Sequence, residues 1–182
     1  MGALLSLVFN IDKPLSLIHG DAFLVNFILK HWMDVILSGR WQELPTLAMF
    51  YGFTHSLFYS DHHLIQALMA LPFFLLTNNI IVTSNLLIVT TVLVSLVSMY
   101  LLVHFLSKNV LAAILASAIF VLNPFIFARF PDQLILFSLQ WIPLVFLFFE
   151  RSFKQPTNTN LFLFFFFLTC QLVSSLYYSV FL

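Results

Sequence analysis

Between Asp61 and Lys108 the chain carries no Asp, Glu, Lys or Arg. A hydrocarbon core about 30 Å thick is crossed by about 20 apolar residues in an α-helix, so this uncharged interval has room for more than one crossing. Composition points the same way. Of 182 residues, 62% are hydrophobic and 8% charged, whereas a soluble domain carries about 25% charged residues. A water-soluble globule is excluded, because it would leave large apolar patches facing water. Seven acids balance seven bases, so no basic excess exists to neutralise phosphates, and nucleic-acid binding is excluded. The single Cys170 forms no internal disulfide and no cysteine-rich zinc site. The fold class expected is all-α: a polytopic transmembrane helix bundle with amphipathic surface helices in an exoplasmic N-terminal loop.

The segment 80–182 is expected to hold four transmembrane helices, over about 80–107, 110–128, 134–149 and 161–182. Polar flanks separate them: Asn78-Asn79, Lys108-Asn109, Arg129 to Asp132, and Glu150 to Asn160. Ser84, Thr91, Ser95 and Ser98 share one face of the first span. They read as a packing stripe, with a substrate-lining stripe as the alternative. Ala112 with Ala116, and Ala113 with Ser117, give small-xxx-small spacing for close helix approach. Pro124 lies near a helix end and Pro143 inside a span.

Residues 1–79 read as an exoplasmic and interfacial segment with two short amphipathic helices. Asp12, Asp21, Asp34, Glu43 and Asp61, five of the seven acids, lie there. Asn26, Lys30, Asp34 and Ser38 recur every four residues on an otherwise apolar helix, Ala22 to Leu37, and Lys30 and Asp34 are placed to pair. Such a helix lies at a membrane surface, and Trp32 and Trp41 suit the interface. Ser60-Asp61 is expected to cap a second helix, His62 to Leu76, too short for a regular span. Leu4 to Phe9 falls short of a signal-peptide core, and the pattern Met1-Gly2 with Ser6 is a chance match to a myristoylation motif.

Basic residues in short loops set orientation. Lys108, Arg151 and Lys154 share one face, expected to be cytoplasmic. The opposite, exoplasmic face carries the acid-rich N-terminal segment and the turn with Arg129 and Asp132. No phosphate loop, nucleophile elbow or HExxH spacing occurs. His62 and His63 are adjacent, point about 100° apart on a helix, and so do not readily share one ion; His104 reads as packing or interface. The informative side chains are Asp21 and Asp132. Each has a bland alternative, a helix cap for Asp21 and a turn residue or Arg129 partner for Asp132. Two carboxylates on one membrane face could also serve as a general base and hold a divalent cation. Asp61 is a further candidate for substrate binding.

The segments GDAFLVNFILKHW, FYSDHHLIQALMALPFFLLTNN, MYLLVHFLSKN and FVLNPFIFARFPDQLILFSLQWIPLVFLFFER follow one another in this order. Together they resemble a family of bacterial and archaeal polytopic proteins grouped with the GT-C glycosyltransferases, over most of the chain after His19. The resemblance implies a hexosyltransferase-type enzyme of the plasma membrane. It would pass a sugar from a polyprenyl-phosphate donor to an exoplasmic acceptor, by direct displacement at the anomeric carbon. By the same resemblance Asp21 is the general base, Asp132 stands where the second exoplasmic loop often carries an acid, and Arg129 attracts the donor phosphate. Similar members tend to carry a His where this chain has Asp132. The resemblance also implies an N-terminal fragment of a longer enzyme. Membrane lipid and the lipid-linked sugar are the expected partners. The competing functions are a transporter or flippase subunit and a non-catalytic membrane scaffold. Transporters usually hold ionisable residues within their spans, and the four spans here hold no Asp, Glu, Lys or Arg.

Overall fold

The structure is a computed structural model that describes residues 21–49, 53–59 and 61–179. Gly20, Ser60, the Met1-Gly2 pattern and the end of the fourth expected span, 180–182, lie outside the described residues. Within them the elements are helices: α1 (Asp21–Ser38), α2 (Leu64–Thr77), α3 (Ile80–Ser107), α4 (Val110–Val121), α5 (Pro124–Arg129), α6 (Leu134–Phe137), α7 (Ile142–Lys154), α8 (Asn158–Ser174) and α9 (Leu176–Ser179), with two short 3₁₀ turns between α1 and α2. Three helical runs, Ile80–Ser107, Val110–Arg129 and Leu134–Lys154, are long and apolar enough to cross a membrane, which makes this a membrane protein. The fourth apolar stretch is shorter among the described residues: α8 has 17 residues.

The chain divides into two compact units. Unit 1 comprises residues up to Ile88 together with Pro131–Leu134, and unit 2 comprises Val89–Phe130 and Ile135–Leu182.

In unit 1, α1 packs on α2. Ile28, Leu29 and Met33 of α1 and Ala67 and Ala70 of α2 are fully buried. The polar stripe runs along the outer side: Asp34 and Ser38 are exposed, and Lys30 pairs with Asp34 as the spacing implied. Phe23 and Leu37 are exposed beside it, an apolar margin that suits a helix lying in a membrane interface. Trp32 does not sit there. It is buried against α2's approach, and its Nε1 donates to the His62 carbonyl at 2.5 Å. A buried indole needs such an acceptor, and the His62 carbonyl precedes α2's ladder. Trp41 is exposed. Gly39, at φ +69, takes the left-handed position after α1 and donates its N–H to the Val35 carbonyl, the usual use of glycine past a helix end.

The start of α2 differs from the expected Ser60-Asp61 cap. His63 adopts the left-handed conformation at the N-cap position and makes no side-chain cap bond. The ring of His62 supplies the cap instead, its Nδ1 accepting from Leu64 N at 3.3 Å. Asn78 closes α2 in the left-handed conformation, which asparagine tolerates better than most residues.

Unit 2 holds the rest of α3 and the helices after it. Thr91, Ser95 and Ser98 are buried, and the Ser95 and Ser98 hydroxyls donate back to carbonyls of Thr91 and Ser95. Thr91 Oγ1 itself is buried without a hydrogen-bond partner, and a packing stripe is the simpler of the two readings of that face. In α4, Ala113 and Ser117 are the buried small pair, while Leu111, Ile114, Leu115 and Ile119 are exposed, as a lipid-facing side requires. Asn123 caps α5, its Oδ1 accepting from Ile126 N at 3.0 Å, with Pro124 in the first turn. The span expected as 134–149 is interrupted between Phe137 and Ile142 and resumes to Lys154. Pro143 therefore stands in the first turn of α7, where its missing N–H costs nothing. Helices α7 and α8 pack through stacked rings: Phe167 lies 5.8 Å from Trp141 and 5.4 Å from Phe148.

Candidate functional site

Unit 1 holds the candidates Asp21, Asp61 and Asp132. Asp21 opens α1, where the free N–H groups and positive end of a helix favour a carboxylate. Its Oδ2 accepts from Gln133 Nε2 at 2.9 Å. The first acidic candidate is thereby tied to the residue beside the second, Asp132. One turn further along α1, Asn26 lines a small cavity with Ser84, Asn85, Pro131 and Asp132. About 10 Å³ is left there for the centre of a water molecule, which is the room one water needs. Asn26 Oδ1 and Asp132 Oδ1 are both buried and without a hydrogen-bond partner. Two acceptors on one small cavity call for a donor between them, and a single water satisfies that geometry.

A hard cation takes six or more oxygen ligands, several of them carboxylates when binding is tight. The donors around this cavity include one carboxylate, Asp132, and Asp21 does not line it. Among the described residues no three His, Cys, Asp or Glu side chains come together to hold a metal. The oxygen set beside Asp132 therefore does not fit a tightly held divalent ion.

A second and larger space runs along the outer side of α1. It has a volume of about 580 Å³ and is lined by Lys30, His31, Asp34, Gln42 and Glu43 among others. His31 Nε2 donates to the Leu44 carbonyl at 3.0 Å, which fixes the ring against the following loop. Arg40 pairs with Glu43 at 2.9 Å. Ser56 closes the base of this loop by accepting from Leu47 N at 2.9 Å. The groove is of ligand size and its rim alternates donors and acceptors, the pattern that hydroxyl-rich molecules require.

Asp61 lies just before α2, half-buried, and burial pushes its carboxyl above the usual range. His63 beside it is buried; burial first, and the neighbouring His62 second, hold its ring down to about 4. The His63 ring is thus buried and neutral above that value. Arg129 belongs to unit 2, where its guanidinium lies 5.8 Å from the Phe125 ring. His104 stacks on Tyr100 at 5.6 Å, a packing role.

Gln133, Asn26 and the groove residues Gln42 and Glu43 were not among the sequence candidates. Asn26 was visible as the first member of the polar stripe. Gln133 carried one signal, its place next to Asp132. No protein-family model, curated protein or solved structure matches this chain.

Proposed function

We propose that this chain supplies the exoplasmic catalytic carboxylate of a GT-C-type membrane glycosyltransferase of the plasma membrane. The sugar comes from a polyprenyl-phosphate donor and goes to an acceptor hydroxyl outside the membrane. The observation that carries the reading is the Asp21–Gln133 hydrogen bond. It holds a carboxylate at a helix start by one oxygen and leaves the other for a proton. Asp21 is the general base: its Oδ1 takes the proton of the acceptor hydroxyl. The freed oxygen forms its bond to the anomeric carbon as the bond from that carbon to the phosphate oxygen breaks. The electron pair leaves with the polyprenyl phosphate.

The test uses membranes from cells expressing the protein, supplied with radiolabelled polyprenyl-phosphate sugars one at a time. Label leaving the lipid fraction is counted. The expected result is turnover with one donor, reduced about 10²-fold or more by Asp21→Asn, the range in which removal of a general base falls. Turnover unchanged in Asp21→Asn would overturn the base assignment. If no donor is consumed, the non-catalytic scaffold stands in its place.

A further inference from the structure

Three cations of unit 2 converge on one ring. Lys108 Nζ lies 4.8 Å from the centroid of Phe105, Arg151 Cζ 5.1 Å and Lys154 Nζ 5.1 Å. Lys108 stands in the turn between α3 and α4, in the left-handed conformation at φ 55. Arg151 and Lys154 come from the last turns of α7. Counting the runs long enough to cross a membrane puts both ends on the same face. Each cation is about 5 Å from one point, so all three fall close to a Debye length of one another, about 8 Å at physiological ionic strength. Like charges so placed repel. The single carboxylate at hand, Glu150, pairs with Lys154 at 3.2 Å, and among the described residues no acid is paired with Lys108 or Arg151. The ring itself is a weak counter-charge.

We infer that Lys108, Arg151 and Lys154, gathered on Phe105, bind the phosphate of an anionic phospholipid headgroup. Arg151 offers a planar fork that matches phosphate oxygens, and the lysines add point charges around it. The lipid source is favoured over a free anion by the neighbours. Leu106, Val110, Leu111 and Phe153 next to the cations are all exposed apolar side chains, which acyl chains would cover and a soluble anion would not. Juxtamembrane basic clusters attract anionic lipid by this same charge logic.

The full chain, purified in a neutral detergent, is incubated with mixed phosphatidylglycerol and phosphatidylcholine, and retained lipid is counted by native mass spectrometry. The expected result is preferential retention of one phosphatidylglycerol, reduced at least fivefold in Arg151→Gln with Lys108→Gln. Glu150→Gln, which removes the competing carboxylate and leaves the cations in place, is expected to raise retention. Inorganic phosphate at millimolar concentration is expected not to displace the lipid; displacement would assign the site to a soluble anion and overturn the lipid source. Equal retention of both lipids by the wild type, or an unchanged preference in both variants, would overturn the site.

Discussion

Gln133 Nε2 donates to Asp21 Oδ2 across 2.9 Å, joining residues 112 positions apart in sequence. A carboxylate bonded by one amide keeps a defined orientation, and a general base works only within hydrogen-bond reach of the proton that it takes. If Asp21 is the base proposed above, Gln133→Ala is expected to lower sugar transfer about tenfold, less than Asp21→Asn, which would remove the base. On that proposal Gln133 acts through Asp21, and the double variant should be no slower than Asp21→Asn alone. A double-mutant cycle on transfer rate checks this. Additive losses would separate the two residues. The bond is exposed, so its effect on stability should stay below about 1 kcal/mol.

Asp132 Oδ1 and Asn26 Oδ1 face one cavity without a partner. Both are acceptors when the carboxylate is ionised. Asp132→Asn keeps the shape and adds an N–H₂ donor. Stability is expected to hold or to rise by up to about 1 kcal/mol, the scale of one net hydrogen bond. Chemical denaturation in detergent micelles reads it out. A loss beyond that scale would mean that the Asp132 charge has a cationic partner in the protein as it exists.

Much of the helical layout was legible because long uncharged runs leave few choices. The helix Ile80–Ser107 has the bounds that its polar flanks gave it. The Lys30–Asp34 pair followed from i,i+4 spacing. What stayed hidden depends on where the chain turns in space. Trp32 looks amphipathic from its sequence neighbours, and only the approach of the His62 carbonyl decides that it is buried. The cap of α2 could not be read either, since His63 takes a left-handed conformation that few side chains favour. Gln133 is one polar residue in a turn, and nothing local says that α1 begins beside it.

Trp32 offers a direct check on the packing of α1 against the start of α2. Trp32→Phe keeps most of the buried ring and removes the N–H that reaches the His62 carbonyl. The expected cost is about 1–3 kcal/mol, since the carbonyl is left unmet where water is scarce. Unfolding in detergent, followed by far-UV circular dichroism, measures it. A neutral substitution would mean that water replaces the indole and that α1 and the segment before α2 are loosely joined.

His63 makes folding depend on pH in a defined direction. Burial and the adjacent His62 lower its ring from 6.5 to about 4. Above pH 6.5 the ring is neutral in both folded and unfolded chains, and the stability is fully present. As pH falls below 6.5 the unfolded chain takes up a proton that the folded chain does not. Stability then declines by about 1.4 kcal/mol per pH unit, to a total of about 3 kcal/mol near pH 4, where the folded ring protonates too and the loss levels off. Asp61 acts with the opposite sign. Its carboxyl is raised from 3.8 by burial, so its contribution is present below that value and lost as pH rises through the raised one. His63→Asn separates the two, because asparagine accepts the left-handed conformation and carries no proton. Denaturation midpoints between pH 4 and 7 are expected to fall with acid in the wild type, and in His63→Asn that fall is expected to disappear, leaving the opposite trend of Asp61. Parallel profiles for the two proteins would show that His63 is solvated and not the source of the acid sensitivity.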